Sequence, residues 1–143
     1  MKKSGILNAQ LLCELTKLRH QDKLVICDAG FPIPMGANVV DVSLVAGVPD
    51  FRQTLQAVVG ELIFEEYVIF NSMKEKNPEY YELVTHLFVN QSSREVSMAE
   101  FVELSKEVKL FIRTGELKPA SNLMLTSASG VERACRKFDV TLE

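Results

Sequence analysis

Two spacings of apolar residues alternate along the chain. Leu11, Leu15 and Leu18, with Leu12 beside them, recur every three or four positions behind Asn8, whose side chain suits a helix cap; this predicts a helix over about 9–19. Leu24 to Cys27 follows as a short, largely β-branched run, suited to a central strand covered on both faces. It stops at Asp28-Ala29-Gly30, where the chain must turn. The loop Phe31-Pro32-Ile33-Pro34-Met35-Gly36 is stiff, because each proline fixes its own φ and holds its predecessor out of the helical region. Val39 to Val45 reads as a second strand, broken by Gly47-Val48-Pro49, after which Phe51, Leu55, Val58, Val59 and Leu62 fall at helical spacing. Tyr67 to Phe70 reads as a third strand. Asn77-Pro78 opens a helix with the buried stripe Tyr80, Leu83, Val84, Leu87 and Phe88. Arg94 to Val96 reads as a short strand, and Ser97-Met98-Ala99-Glu100 has capping-box spacing before a helix to about Val108. Lys109 to Ile112 and Asn122 to Thr126 complete the strands.

Strands alternating with helices predict a single-domain α/β fold: a mostly parallel sheet of about six strands with helices on both faces. A chain of 143 residues buries about 70% of its unfolded surface in one core and is short for two domains. The domain is expected over 1–126. Residues 127–143 read as a divergent tail of the same domain, since Gly130 to Leu142 mixes charged and apolar residues without a period. Open sheets of this kind bind ligands beyond the carboxyl ends of their strands, and Asp28 lies at such an end.

Charge narrows the partners. With 16 basic and 19 acidic residues the formal charge is −3, and no stretch is strongly basic, which disfavours nucleic acid. The start Met1-Lys2-Lys3-Ser4-Gly5 has no apolar stretch behind it, and no run approaches about 18 apolar residues; a cytoplasmic location without membrane association is expected. Cys13, Cys27 and Cys135 are odd in number and widely spaced, which argues against a disulfide framework or a structural zinc site.

Several residues carry candidate chemistry. Asp28 ends an apolar strand, where a carboxylate needs partners; an aspartate turn satisfying nearby amides is the competing explanation. Cys27 beside it reads as a small core residue. His20 directly follows the first helix, at the negative end of its dipole, where a residue can also serve simply by capping the last carbonyls. His86 falls opposite the apolar stripe of its helix, one turn after Glu82, and reads as part of a solvated face. Neither GxGxxG nor GxxxxGK[ST] occurs, so the usual nucleotide fingerprints are absent.

The segments Leu18-Arg19-His20-Gln21-Asp22, Cys27-Asp28-Ala29-Gly30-Phe31-Pro32-Ile33-Pro34 and Gly47-Val48-Pro49-Asp50-Phe51 resemble, in residues, spacing and order, the D-ribose pyranase and L-fucose mutarotase family. Arg113-Thr114-Gly115-Glu116, Pro119 and Asn122-Leu123-Met124-Leu125 resemble its C-terminal half, so the resemblance covers about 1–126. It implies an α/β subunit in a ring-like homo-oligomer with sites at subunit contacts. The implied reaction interconverts ring forms or anomers of a free aldose such as ribose or fucose, with no cofactor and no metal. His20 matches the family's proton donor. Asp28 matches its sugar-binding carboxylate, with a further role as base or as orienter of the imidazole, and Asn122 matches a polar sugar contact. Asp28-Ala29-Gly30 and Ile33-Pro34 follow the ribose branch.

Three positions depart from the pattern. Arg19 stands where the family has a glycine suited to a left-handed helix cap. Met98 replaces a second histidine of the ribose branch or an arginine of the fucose branch, and Ala120 replaces a tyrosine. Met98 cannot donate to a hydroxyl, and Ala120 lacks both a hydroxyl and a ring face. The competing expectation is therefore a non-catalytic sugar-binding or regulatory ring protein. If the first helix packs antiparallel to the first strand, some five residues at about 3.3 Å each separate His20 from Asp28. A site shared across a subunit contact would bring the two together.

Overall fold

Complete burial marks the centre of the sheet. In chain order the elements are α1 (Ala9–Thr16), β1 (Lys23–Cys27), β2 (Val39–Asp41), α2 (Phe51–Val59), β3 (Phe64–Phe70), α3 (Met73–Lys76), α4 (Pro78–Leu87), β4 (Ser92–Val96), α5 (Met98–Ser105), β5 (Leu110–Arg113) and β6 (Leu123–Ser127). Leu24 to Cys27 of β1 and every residue of β6 are buried. Successive strand residues point to opposite faces, so both faces of these two strands are covered. Each such buried Val, Ile or Leu contributes about 1.5–3 kcal/mol relative to exposure.

The computed structural model describes residues 1–130, and the expected tail lies outside the described residues beyond Gly130. Six strands form one sheet in the order β2-β5-β1-β6-β3-β4. The β2/β5, β5/β1 and β3/β4 pairs are parallel, while β6 runs antiparallel to both β1 and β3. The expected α/β architecture is thus present, with β6 the reversed strand. Its register places Ile26 opposite Leu123 and Lys23 opposite Thr126. The start of β6 therefore lies at the carboxyl end of β1, and its end lies at the amino end of β1.

Caps fix the helix starts. Asn8 accepts from the Leu11 amide at 2.9 Å, and Asn77 accepts from Tyr80 at 3.2 Å with Pro78 in the first turn. Asp50 and Gln53 form a complete capping box. At α5 only half of the expected box forms: Ser97 accepts from the Glu100 amide, while the Glu100 carboxylate turns to Arg94.

Other boundaries move for identifiable reasons. The first helix stops at Thr16 rather than near Arg19, because Asp22 closes a turn onto both backbone groups of Arg19. Arg19 itself is not left-handed; among the described non-glycine residues the positive φ values belong to Gln21 (71°) and Ala120 (57°). The second strand covers only Val39–Asp41, since the Asp41 carboxylate bonds the Ser43 amide and hydroxyl and Arg113, drawing the chain off the sheet. The short helix α3 carries no apolar period that would announce it.

Candidate active site

Asp28 is the first residue after β1, and the segment 113–116 after β5 clamps the chain around it. The Thr114 amide and hydroxyl both donate to the Cys27 carbonyl, at 3.0 and 2.9 Å. The Ala29 amide donates to the Glu116 carbonyl at 2.9 Å, and Arg113 Nε donates to the Ala29 carbonyl at 3.0 Å. Gly115 permits the turn 45–49 to lie directly on this segment. A Cβ there would stand 2.6 Å from the Val45 carbonyl oxygen and 2.7 Å from backbone atoms of Val48. Glu116 is 4% exposed, and its carboxylate accepts from the Tyr80 hydroxyl at 2.5 Å and from the amides of Phe51, Leu117 and Lys118. Burial raises the Glu116 pKa, but these donors outweigh it and hold the carboxyl below its ordinary value. Burial, reinforced by Glu116, pushes the Tyr80 hydroxyl up.

The β6 register brings Asn122 to the same point. Asn122 is 2% exposed; its Nδ2 donates to Asp28 Oδ2 at 2.7 Å, and its Oδ1 accepts from the Asp28 amide at 3.0 Å. The Gly30 amide donates to Asp28 Oδ1 at 2.9 Å. The aspartate turn and the candidate ligand-binding carboxylate are therefore the same arrangement. Each carboxylate oxygen keeps a lone pair for a further donor.

Asp28 and Asn122 line a cavity of about 270 Å³ with Gly30, Phe31, Pro32, Phe70, Ser72, Lys76, Met98, Pro119 and Ala120. Phe31 seats the proline loop in the core, stacking edge-on against Phe101 at 5.8 Å between centroids. Cys27, just below, is wholly buried, and burial pushes its thiol up to about 12, which makes it a packing residue rather than a nucleophile. Met98 and Ala120, singled out as departures, both face this cavity. Phe70, Ser72 and Lys76 were not anticipated. They follow β3, whose carboxyl end adjoins that of β1 across β6, but no motif announces them.

His20 lies at the other end of the sheet. It precedes β1 beside Gln21, whose amide donates to the carbonyl of Ser127 at the end of β6. His20 Nε2 is 3.2 Å from Glu65 Oε2 and 3.2 Å from Gln21 Nε2, which also donates to Glu65. The imidazole is half exposed. Five strand residues at about 3.3 Å each separate it from Asp28, so the chain by itself does not bring the two together. His86 is on the surface of α4, with Nδ1 2.8 Å from the Glu82 carbonyl. Among the described residues no group of three His, Cys, Asp or Glu is placed to hold a metal ion, and no helix is long and apolar enough to cross a membrane.

Known proteins resemble this chain over most of its length. The chain is 42% identical over 127 residues to the D-ribose pyranase of Geobacillus thermodenitrificans, covering 89% of this chain and 96% of that protein. It is also 42% identical over 135 residues to the D-ribose pyranase of Haemophilus influenzae, covering 89% and 97%. Among solved structures, Bacillus subtilis RbsD complexed with D-ribose superposes with a TM-score of 0.85 at 39% identity, over 90% of this chain and 98% of that one. The fucose mutarotase of Streptococcus pneumoniae in complex with L-fucose shares the fold, with a TM-score of 0.71 at 18% identity over 85% and 93%. With residues 1–131 matching the family model as well, the chain belongs to the RbsD / FucU transport protein family.

Proposed function

We propose that this protein is a cofactor-independent monosaccharide isomerase of the pyranase and mutarotase type, acting on a free aldose of the ribose class. The observation that carries this reading is the Asp28–Asn122 pair opening into a sugar-sized cavity at the carboxyl end of β1, in a chain 42% identical to D-ribose pyranases over nearly their whole length. Conversion between pyranose and furanose proceeds through the open chain. The anomeric hydroxyl loses its proton, C1–O5 breaks as the carbonyl forms, and the ring oxygen is protonated; O4 then adds to C1 with the reverse transfers. An acid and a base near neutrality serve each direction, a task suited to imidazole.

In our reading Asp28 anchors sugar hydroxyls through its free lone pairs or takes the anomeric proton, and Asn122 fixes the carboxylate while offering its second amide hydrogen to the sugar. His20 is the acid. Because it stands at the opposite end of its own subunit, it serves the cavity of a neighbour, in a ring-like homo-oligomer whose contacts pair one subunit's amino end of β1 with the next one's carboxyl end. The free thiols Cys13 and Cys27 suit a reducing cytoplasm. The domain comprises 1–126. Met98 and Ala120 trim the cavity but leave Asp28 and Asn122 in place, so a non-catalytic sugar-binding role is the weaker reading.

Exchange NMR on ribose, fucose and related aldoses is the test. Acceleration over buffer is expected for ribose. It should fall about 10²–10⁴-fold in His20→Ala and in Asp28→Asn, the range for losing a general acid or base. Co-expressing the two variants should restore about a quarter of the wild-type rate, if one contact in four unites an intact His20 with an intact Asp28 and variants mix at random. No acceleration for any aldose would sink the enzyme reading, and no recovery on co-expression would sink the shared site.

A further inference from the structure

The cavity around Asp28 is poor in donors. Phe31, Pro32, Phe70, Met98 and Ala120 offer none from their side chains, and the Gly30 amide is spent on Asp28 Oδ1. The Asn122 side chain spends its carbonyl and one amide hydrogen on Asp28. A free aldose carries an oxygen on every carbon, and each ring or hydroxyl oxygen taken out of water needs a donor. Among the lining side chains, the donors that remain are the second amide hydrogen of Asn122, the Ser72 hydroxyl and the Lys76 ammonium.

Lys76 stands out because its position is fixed while its charge is not committed. Met73, one turn before it, is fully buried, and the next residue, Asn77, is 5% exposed. Asn77 Nδ2 donates to the Pro119 carbonyl at 3.2 Å and to the Ser121 hydroxyl at 3.1 Å, tying this turn to the loop that carries Ala120 and Asn122. The backbone at Lys76 and the far wall of the cavity are therefore held together, while its side chain is exposed. Lys17, Lys106, Lys109 and Lys118 each meet a carboxylate within 4 Å, whereas among the described residues Lys76 meets none.

We infer that Lys76 is a sugar-contacting, specificity-determining residue, donating from its ammonium to an oxygen of the aldose held by Asp28. This rests on the reading of the cavity as a sugar site and names the donor that Met98 and Ala120 cannot supply. A flexible lysine reaches over the mouth of the cavity and can select among epimers by which hydroxyl it finds.

The experiment compares wild type, Lys76→Met and Lys76→Arg on D-ribose, D-arabinose, D-xylose and D-lyxose, by exchange NMR for turnover and saturation-transfer NMR for binding. Lys76→Met is expected to raise KM for the preferred sugar about tenfold with kcat changed less than about twofold, as for loss of a partly exposed charged hydrogen bond. It should also change the order of kcat/KM among the four sugars, and Lys76→Arg should recover part of the affinity. Thermal unfolding of Lys76→Met should match wild type. Unchanged KM and an unchanged order would overturn the inference while leaving the proposed activity intact. If wild type turns over no aldose, the proposed activity fails instead, and binding decides this point alone: weaker sugar binding in Lys76→Met upholds the contact, and equal or absent binding overturns it.

Discussion

At the carboxyl end of β1, the backbone groups of Cys27, Asp28 and Ala29 are engaged by Thr114, Asn122, Arg113 and Glu116. At the amino end of the same strand His20 is half exposed and, among the described residues, hydrogen-bonds the Gln21 and Glu65 side chains. Three of the four partners at the first end, Thr114, Glu116 and Asn122, are buried, so this end keeps its geometry without a ligand. The second has an exposed polar contact, worth little in water, and can give it up to another surface. Preorganisation is concentrated at the Asp28 end, and the imidazole is left exposed at the other.

The sharpest way to break this contrast is to strain the clamp. Gly115→Ala pushes a Cβ into the backbone of Val45 and Val48, neither of which is a flexible side-chain end, and should cost about 3 kcal/mol or more in urea denaturation. His20→Ala should stay within about 0.5 kcal/mol of wild type in the same assay. Equal effects would mean that the two ends are equally rigid.

Asn122→Ala comes next. It leaves the Asp28 amide and one carboxylate oxygen without their partner, at about 2 kcal/mol by thermal unfolding, and should raise KM for sugar as well. Unaltered stability would show that the Asp28 end does not depend on this pair.

Acid tests the clamp from behind. The Glu116 carboxyl is held below its unfolded value of about 4.5, so it contributes stability that is fully present above that value and is lost as pH falls through the folded pKa. Glu116→Gln should lower the urea midpoint at pH 7 by about 1–2 kcal/mol equivalent and flatten its fall on the acid side of pH 4.5. A wild-type curve flat below pH 4.5 would count against the buried carboxylate.

The smallest effect belongs to Glu65→Gln, which removes the charge beside His20 in an exposed setting. Stability should move by less than about 0.5 kcal/mol. A larger loss would mean that the open end is more structured than its exposure indicates.

Much of this was legible in the chain. The buried runs of β1, β5 and β6 and the caps at Asn8, Asp50 and Asn77 are local signals, and the sheet assembled from them is the expected mostly parallel one. Asp28 was legible because a carboxylate closing an apolar strand demands partners. Asn122 became adjacent to it only through the β6 register, which no local pattern reports. The extra strand read into 42–45 misled because apolar alternation there is real, and only the distant Arg113 explains why Asp41 turns the chain away. Lys76 was illegible for a similar reason: it sits on a four-residue helix whose place beside Ala120 depends on Asn77 reaching the loop 119–121.

The reversed strand β6 has a consequence for how such a protein can change. Its first residues adjoin the Asp28 cavity and its last residue bonds the turn beside His20, so one short rod sets the span between the two ends. Inserting or deleting a residue in it would turn every following side chain to the other face of a sheet buried on both sides. Change is thereby pushed outward, to the cavity-lining positions 72, 76, 98 and 120. There the lining can be altered one side chain at a time without moving the frame that carries Asp28.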